Sequence, residues 1–336
     1  MPNSARDPHR PAPFSHTLQY GGLAALSGLL CALPASAALG LGRGLGDFAR
    51  GALRLRRAVA EENVAAAFPE LDAGARRRIV AGMYRHYGEE LAQFARFPVL
   101  EPADIVRRMA VEGEHHLKEA VAAGRGVLIL SGHIGSWEIM AARLAAVGYP
   151  LTLLVGPQRN RRVQEMFTRF RARHGVQVLV RGTDLRQIFK ALKAGRVVAT
   201  LGDQDAGRNG WFVDFLGRPA STALGPYRIA GRAGAPLVMG FCVRSGADWL
   251  GFAEPPLWPD PAQDEEIQAR AWSAHYHARL AAFIRAYPEQ WFWVHRRWKS
   301  RPAPASHPDR DPEKADPGSG FPEARPDPPP AAPRPR

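Results

Sequence analysis

The chain has 336 residues, 46% of them hydrophobic, and carries a formal net charge of +13. This length allows one large domain or two small ones, and the hydrophobic share is ordinary for a globular core. The positive excess favours an anionic partner: nucleic acid, acidic lipid or a phosphorylated substrate. The two cysteines, Cys31 and Cys242, are too few for a disulfide scaffold or a cysteine-based metal site.

Both ends of the chain are rich in proline and poor in large apolar residues. Residues 1–15 are polar, and residues 301–336 form a low-complexity tail of Pro, Ala, Arg and Asp. Such segments bury too little apolar surface to offset the entropy of ordering, so we predict disorder in both.

A stretch without Asp, Glu, Lys or Arg runs from Pro11 to Gly42. Three interpretations are open: a membrane anchor, a signal peptide cleaved at Ala35-Ser36-Ala37, or a buried helix. More arginines follow the stretch than precede it. The positive-inside rule therefore favours a membrane anchor over residues 16–43, with the main body in the cytoplasm.

The remaining chain is predicted to form helices first, and then alternating strands and helices. Apolar residues recur every three to four positions in a helix predicted over Ala73–Phe94, with Asp72 as its cap. From residue 126 onward, short apolar runs alternate with helical segments, as in Leu151–Gly156 and Val176–Val180. This alternation predicts an α/β fold with a mostly parallel central sheet flanked by helices, behind the N-terminal anchoring segment.

The stretch Gly126–Glu138 has the pattern of a buried strand, a glycine-containing turn and a helix. His133 falls in the turn and Glu138 just inside the helix. Chemistry in α/β folds is concentrated beyond the carboxyl ends of strands, beside helix N-termini. His133 is therefore a candidate base and Glu138 a candidate partner for its second nitrogen, provided that His133 lies before the regular helix. A structural, hydrogen-bonded histidine is the competing interpretation.

Four further blocks carry polar or basic residues where a ligand would bind. The segment Gly202–Gly207 follows a predicted strand, and either of its two Asp residues could cap a turn or orient a substrate. An Arg-rich run covers Arg159–Arg173, a small-residue block covers Phe215–Arg228, and Pro288–Lys299 mixes tryptophan with basic residues. The candidate substrate-binding residues in these blocks are Arg159, Asp203, Asp205, Thr222, Arg296 and Arg297. No metal site is predicted, because the Asp pair lacks the further carboxylates that calcium needs.

In this order, the blocks resemble the bacterial lipid A biosynthesis acyltransferases, within the lysophospholipid acyltransferase superfamily. GHIGSWE is similar to the H-x4-E signature of the family. ENVAAAFPEL, GDQDAG, FLGRPAST and PEQWFWVHRRWK are similar to its other landmarks, and the resemblance covers about residues 20–300. It implies an acyltransferase domain over residues 44–300 and an inner-membrane enzyme that faces the cytoplasm.

The resemblance implies transfer of a fatty acyl chain from acyl carrier protein to a hydroxyl of a lipid A precursor. His133 would be the general base and Glu138 would fix its tautomer, without an acyl-enzyme and without a cofactor. The same superfamily leaves lysophospholipid, mannoside and aminolipid acceptors open. A nucleic-acid binder and a secreted hydrolase are the rivals of other classes, and no recognisable nucleic-acid fold pattern accompanies the first. We therefore expect acyl carrier protein, a lipid A precursor and the inner membrane as partners, and no nucleic acid.

Overall fold

The computed structural model describes residues 14–182 and 185–302. The predicted disorder over residues 1–15 and 301–336 thus falls almost wholly outside the described residues. Within those ranges the helices are α1 (Phe14–Ala32), α2 (Ala35–Gly51), α3 (Arg57–Ala67), α4 (Ala73–Ala95), α5 (Pro102–Arg108), α6 (Glu114–Ala122), α7 (Trp137–Ala146), α8 (Arg161–Arg173), α9 (Leu185–Lys193), α10 (Gly225–Ala233) and α11 (Glu265–Ala286). The strands are β1 (Met109–Glu112), β2 (Val127–Ser131), β3 (Leu151–Val155), β4 (Gln177–Val180), β5 (Val197–Leu201), β6 (Trp211–Phe215), β7 (Arg218–Thr222), β8 (Leu237–Ser245) and β9 (Asp248–Ala253).

Seven strands form one sheet in the order β1-β9-β8-β2-β5-β3-β4. Every neighbouring pair in it is parallel except β8 and β9, which form an antiparallel hairpin. Strands β6 and β7 form a separate antiparallel hairpin. The predicted α/β architecture with a mostly parallel sheet flanked by helices is confirmed.

Strand β2 lies in the middle of the sheet and is buried along its whole length. Leu128 and Leu130 point into the core shared with α4, α10 and α11, whereas Val127 and Ile129 point into the core shared with α5, α6 and α7. Burial on both faces explains why the strand reads as an unbroken apolar run rather than an alternating one. It also fixes the carboxyl end of β2 at the centre of the sheet edge.

Helix α4 begins at the predicted cap, because the Asp72 carboxylate accepts the Ala75 N–H at 2.8 Å. It packs closely against α2 through glycines: a Cβ added at Gly42 or at Gly88 would collide with the backbone of the other helix. This pairing joins the N-terminal helices to the rest of the fold.

The uncharged N-terminal stretch folds as two helices, α1 and α2, which are separated at Leu33 and Pro34. Proline lacks the N–H and has the wrong shape for a helix interior, so one long helix does not form there. Within residues 14–182 and 185–302, none of the helices combines the length and apolar character needed to cross a bilayer. The membrane anchor over residues 16–43 stays a prediction.

Candidate active site

His133 lies in the turn between β2 and α7, two residues past the end of the strand. Gly135 in this turn has φ of +58°, and a Cβ there would collide with the carbonyl oxygen of Cys242. The Gly135 N–H donates to the Gln290 carbonyl at 2.8 Å, and the Ser136 N–H donates to the Cys242 carbonyl at 2.9 Å. The turn is therefore fixed before the helix starts, and His133 lies outside the helix.

The imidazole of His133 is held by Asp203, which follows the neighbouring strand β5. Nδ1 lies 2.7 Å from Asp203 Oδ1, and the His133 backbone N–H donates to Oδ2 at 2.8 Å. The indole N–H of Trp291 donates to the same Oδ2 at 2.9 Å, and Tyr87 donates its hydroxyl to the His133 carbonyl. Asp203 is only 2% exposed. Asp203 thus orients the ring directly, and Trp291 and Tyr87 hold Asp203 and the His133 backbone in place.

The charge state of Asp203 fixes the tautomer of the ring. Burial raises the pKa of Asp203, but the charge and hydrogen bonds of His133 and the bond from Trp291 outweigh it and hold this pKa well below its ordinary value. An ionised carboxylate accepts hydrogen bonds only, so Nδ1 of His133 carries the hydrogen. Nε2 is left as the basic nitrogen, and it lies 3.3 Å from the amide nitrogen of Gln204.

Glu138 is placed differently from the prediction. Its carboxylate accepts two hydrogen bonds from Arg171 of α8, at 2.9 and 2.6 Å, in a bidentate pair. Both side chains are largely buried, at 10% and 17% exposure for Arg171 and Glu138. The predicted hydrogen bond from His133 Nδ1 to Glu138 is therefore replaced by the one to Asp203. The helix starts at Trp137, so Glu138 already points along the helix toward α8 rather than back toward the turn.

A cavity of about 410 Å³ opens beside these groups. Its polar part contains His133, Glu138, Arg171, Arg181 and Gln204. The apolar side chains of its wall come from β2, α7, β3 and β5, and they include Ile129, Met140, Ala141, Leu144, Leu151 and Leu153. A base at one side of an apolar cavity suits a reaction on a substrate that has a polar reacting group and a long apolar part.

A family model described as "Bacterial lipid A biosynthesis acyltransferase" matches residues 8–300. The chain belongs to that family. The chain is therefore an acyltransferase, which is the class of enzyme that the sequence predicted.

Relatives with established names agree with the acyltransferase family. The lipid A biosynthesis lauroyltransferase of Escherichia coli (strain K12) is 31% identical over 279 residues, covering 82% of this chain and 89% of that protein. The lipid A biosynthesis palmitoleoyltransferase of the same organism is 30% identical over 267 residues, covering 78% and 85%. A phosphatidylinositol mannoside acyltransferase of Mycobacterium tuberculosis (strain ATCC 25618 / H37Rv) is 27% identical over 218 residues, covering 63% and 67%.

In this acyltransferase the other predicted binding residues divide into buried and exposed groups. Asp205 accepts from the backbone and hydroxyl of Ser300 at 3.2 and 3.0 Å, so it ties the loop after β5 to residues 291–300. Arg159 and Arg296 are exposed. Arg159 adjoins Gln158 of the cavity wall.

Thr222 and Arg297 are fully buried and bind each other. Arg297 Nη2 donates to the Thr222 hydroxyl at 2.7 Å, and Nη1 donates to the Ser221 carbonyl at 2.5 Å. Burial and the charge of Arg297 lower the pKa of His277 to about 3, so its neutral Nε2, 3.0 Å from Arg297, accepts from the guanidinium. The structure thus assigns this pair to the core beneath the site, away from the cavity wall.

Sequence reasoning missed Gln204, Trp291 and Tyr87 as neighbours of the histidine. Gln204 and Trp291 lie inside blocks that were singled out, but composition did not show which members face the site. In residues 14–182 and 185–302 there is also no group of three His, Cys, Asp or Glu side chains that could hold a metal ion.

Proposed function

We propose that this acyltransferase moves a fatty acyl chain from an acyl carrier protein thioester to a hydroxyl of a lipid A precursor. The observation that carries the proposal is the His133–Asp203 pair, joined at 2.7 Å, beside a cavity with an apolar wall. The names of the Escherichia coli relatives support lipid A as the acceptor class. The mycobacterial relative supports a second candidate, a mannoside-bearing lipid acceptor.

In the proposed step, His133 Nε2 takes the proton of the acceptor hydroxyl while the oxygen attacks the thioester carbonyl. The C–O bond forms, the C–S bond breaks, and the proton passes from His133 to the leaving thiolate. Asp203 holds the ring and stabilises the imidazolium, which is the role that the third member of a triad plays. General-base catalysis of this kind contributes about 10²–10⁴-fold. A thioester is already activated, so the proposal needs neither an acyl-enzyme nor a cofactor.

Arg171 is the group proposed to stabilise the oxyanion. The N–H groups of His133, Gly135 and Ser136 already donate to protein acceptors, so these three amides of the turn are engaged. Arg171 lines the cavity and uses only Nε and Nη2 on Glu138. A buried guanidinium near developing negative charge is worth more than the same charge in water. Glu138 is then a positioning residue that holds Arg171 in the cavity.

The apolar wall is proposed to hold the acyl chain during transfer. It offers aliphatic contact along β2, α7 and β3, and the extent of this wall would limit chain length. Acyl carrier protein is a cytoplasmic donor and the acceptor is a membrane lipid. We therefore place the catalytic domain at the cytoplasmic side of the inner membrane, and the net charge of +13 favours that anionic surface.

The test uses purified protein in detergent, acyl carrier protein loaded with defined acyl chains, and a lipid A precursor. Mass spectrometry should show one added acyl chain with the wild type and none with His133→Ala. Arg171→Lys should keep the ion pair but lower kcat, and Glu138→Gln should lower kcat less than His133→Ala does. Transfer by His133→Ala at the wild-type rate would overturn the mechanism. Transfer only to a mannoside lipid would select the second acceptor.

A further inference from the structure

A second cavity, of about 620 Å³, shares no lining residue with the apolar cavity beside His133. Its walls are one face of α4, the end of β8 with the turn that follows, and residues 286–290, which come directly after α11. The titratable side chains of its lining are Arg78, Arg85, His86, Glu89, Arg244 and Glu289. A cavity of this size with so many polar groups suits a polar ligand.

His86 is the buried member of this set, with 7% of its surface exposed. Its Nε2 atom is buried and has no hydrogen-bond partner within residues 14–182 and 185–302. Burial lowers the pKa of His86, so the ring is neutral at neutral pH. A buried polar atom without a partner costs about 1–3 kcal/mol. A ligand hydroxyl, which can both donate and accept, would supply the missing hydrogen bond.

Two charged side chains of the lining also have no protein partner. Arg78 is exposed, and Glu289 lies against Gly82, where an added Cβ would collide with its carboxylate. Neither Arg78 nor Glu289 forms a salt bridge with a residue in the described part of the chain. By contrast, the other two arginines of the lining donate to protein carboxylates at 2.8 Å. The cavity therefore offers a ligand one cation, one carboxylate and one imidazole nitrogen.

These three groups follow α4 at a spacing of four residues: Arg78, then Glu289 over Gly82, then His86. Residues four apart lie on one face of a helix, about 6 Å apart along its axis. Arginine binds phosphate, whereas a carboxylate and an imidazole bind hydroxyl or amine groups. A phosphorylated sugar carries all of these groups on one compact ring. Inorganic phosphate would satisfy the arginine alone, and a hydrocarbon chain would satisfy none of the three.

The walls of this cavity also hold the histidine turn. Gln290 lines the cavity, and its carbonyl accepts the Gly135 N–H at 2.8 Å. Its side-chain amide makes two hydrogen bonds, of 2.8 and 2.9 Å, with the backbone at the end of β8. On α4, Tyr87 follows His86 and donates its hydroxyl to the His133 carbonyl. An occupant that joins the two walls would therefore stabilise both contacts with the turn.

We propose that this cavity is a second ligand site, which binds a phosphorylated sugar. Arg78 binds the phosphate, Glu289 binds an amine or hydroxyl of the ring, and Nε2 of His86 forms a hydrogen bond with a further hydroxyl. A free sugar phosphate and the sugar-phosphate headgroup of a lipid present this same chemistry. The inference goes beyond the proposed function, because none of these three side chains takes part in the acyl-transfer step.

The test is isothermal titration of the full chain in detergent with glucosamine 6-phosphate, glucose 6-phosphate and inorganic phosphate. Glucosamine 6-phosphate should bind most tightly, because its amine pairs with Glu289, and inorganic phosphate should bind at least about tenfold more weakly. Arg78→Gln should weaken the binding of both sugar phosphates about tenfold. Arg77→Gln is the matched control, because Arg77 is the adjacent exposed arginine of α4 and does not line the cavity. Glu289→Gln should weaken glucosamine 6-phosphate more than glucose 6-phosphate.

Two substitutions at His86 separate a ligand contact from a structural role. His86→Leu should weaken the binding of both sugar phosphates about tenfold. His86→Gln should restore most of that affinity, because its amide can occupy the position of Nε2. A structural role would instead lower the free energy of unfolding in both variants and leave their affinities equal, and that result would overturn the assignment of His86.

Acyl-transfer assays with saturating glucosamine 6-phosphate distinguish the two sources of the ligand. A rise in the KM of the lipid A precursor would identify the headgroup of a lipid as the occupant, and an unchanged KM would identify a free sugar phosphate. The proposal would be overturned if neither sugar phosphate binds, if inorganic phosphate binds as tightly as they do, or if Arg77→Gln and Arg78→Gln weaken binding equally. The titration needs no turnover, so failure of this site is distinguishable from failure of the proposed function.

Discussion

Substituting Asp203 by asparagine tests the arrangement of the catalytic pair directly. The carboxylate accepts three hydrogen bonds, two from His133 and one from Trp291. Oδ2 accepts hydrogen bonds from the His133 backbone N–H and from the Trp291 indole, whereas Oδ1 accepts only the hydrogen bond from Nδ1 of His133. The oxygen of an asparagine should take the place of Oδ2, where it keeps two donors. Its NH₂ group would then face Nδ1 and require that nitrogen to be the acceptor.

The consequence is the opposite tautomer, with the hydrogen on Nε2, where the base is needed. The corresponding change in serine protease triads costs about 10⁴-fold in kcat. We expect a loss of 10³–10⁴-fold here, by the same principle, which corresponds to about 4–5.5 kcal/mol at 1.36 kcal/mol per decade. KM should change little, because Asp203 is 2% exposed and has no surface for the substrate.

The assay is steady-state acyl transfer with Asp203→Asn, together with Asp205→Asn as a matched control. Asp205 is a buried carboxylate in the same loop, but its partners are Ser300 and Gly207 rather than the histidine. The control should lose stability and keep most of its kcat. Asp203→Asn with a kcat within about threefold of the wild type would refute the tautomer argument, as would an equal loss in both variants.

Three further predictions concern the turn, the cavity and the core. Gly135→Ala should lower the free energy of unfolding by at least about 2 kcal/mol and abolish transfer, because φ is +58° and the Cβ collides with Cys242. Chemical denaturation measures the free energy of unfolding, and a variant as stable as the wild type would contradict the prediction. Met140→Ala should shift the preferred donor to longer acyl chains, because Met140 lines the cavity; competition between donors of different length tests this, and an unchanged preference would count against the wall as the acyl site. His277 has its pKa lowered to about 3 by burial, so the unfolded chain binds the proton first and the wild type loses stability as the pH falls from about 6.5 to 3. In His277→Gln this part of the pH dependence, up to about 1.4 kcal/mol per pH unit, should be missing in denaturation curves; identical curves would show that His277 is protonated in the folded protein.

The position of His133 could be predicted from local sequence, whereas its partner could not. A buried strand, a glycine turn and a helix start are read from neighbouring residues, and the structure has them where the pattern placed them. The partner depends on strand order. Strand β5 lies between β2 and β3, and the pairing of Ser131 with Leu201 places His133 and Asp203 each two residues beyond the same rung.

Glu138 was a reasonable candidate because it lies close to the histidine along the chain. Its actual partner, Arg171, is 33 residues away and is delivered by the packing of α8. The Arg-rich run was noted, but periodicity does not show which arginine turns inward. Arg171 is buried, whereas Arg161, Arg162, Arg169 and Arg173 of the same helix are exposed.

The tryptophan-rich block illustrates a limit of composition. Aromatic and basic residues together suit a lipid interface, a sugar phosphate or nucleic acid, and they also suit a core. Trp291, Trp293 and Arg297 are at most 1% exposed and Trp298 is 7% exposed, so the three tryptophans and one arginine of the block are interior. A tryptophan at the surface and one in the core differ in the residues that pack around them in the folded protein. The local sequence does not show those neighbours.

Residues 290–300, which hold the histidine turn in place, have a consequence for the synthesis of the protein. Every strand of the sheet precedes Gln290 in the chain, whereas the Gln290 carbonyl holds Gly135 and the Trp291 indole holds Asp203. A nascent chain with its whole sheet already outside the ribosome still lacks the groups that fix the histidine turn. The histidine turn is therefore complete only after residues 290–300 have left the ribosome, and a fragment that stops before residue 290 should lack acyltransferase activity.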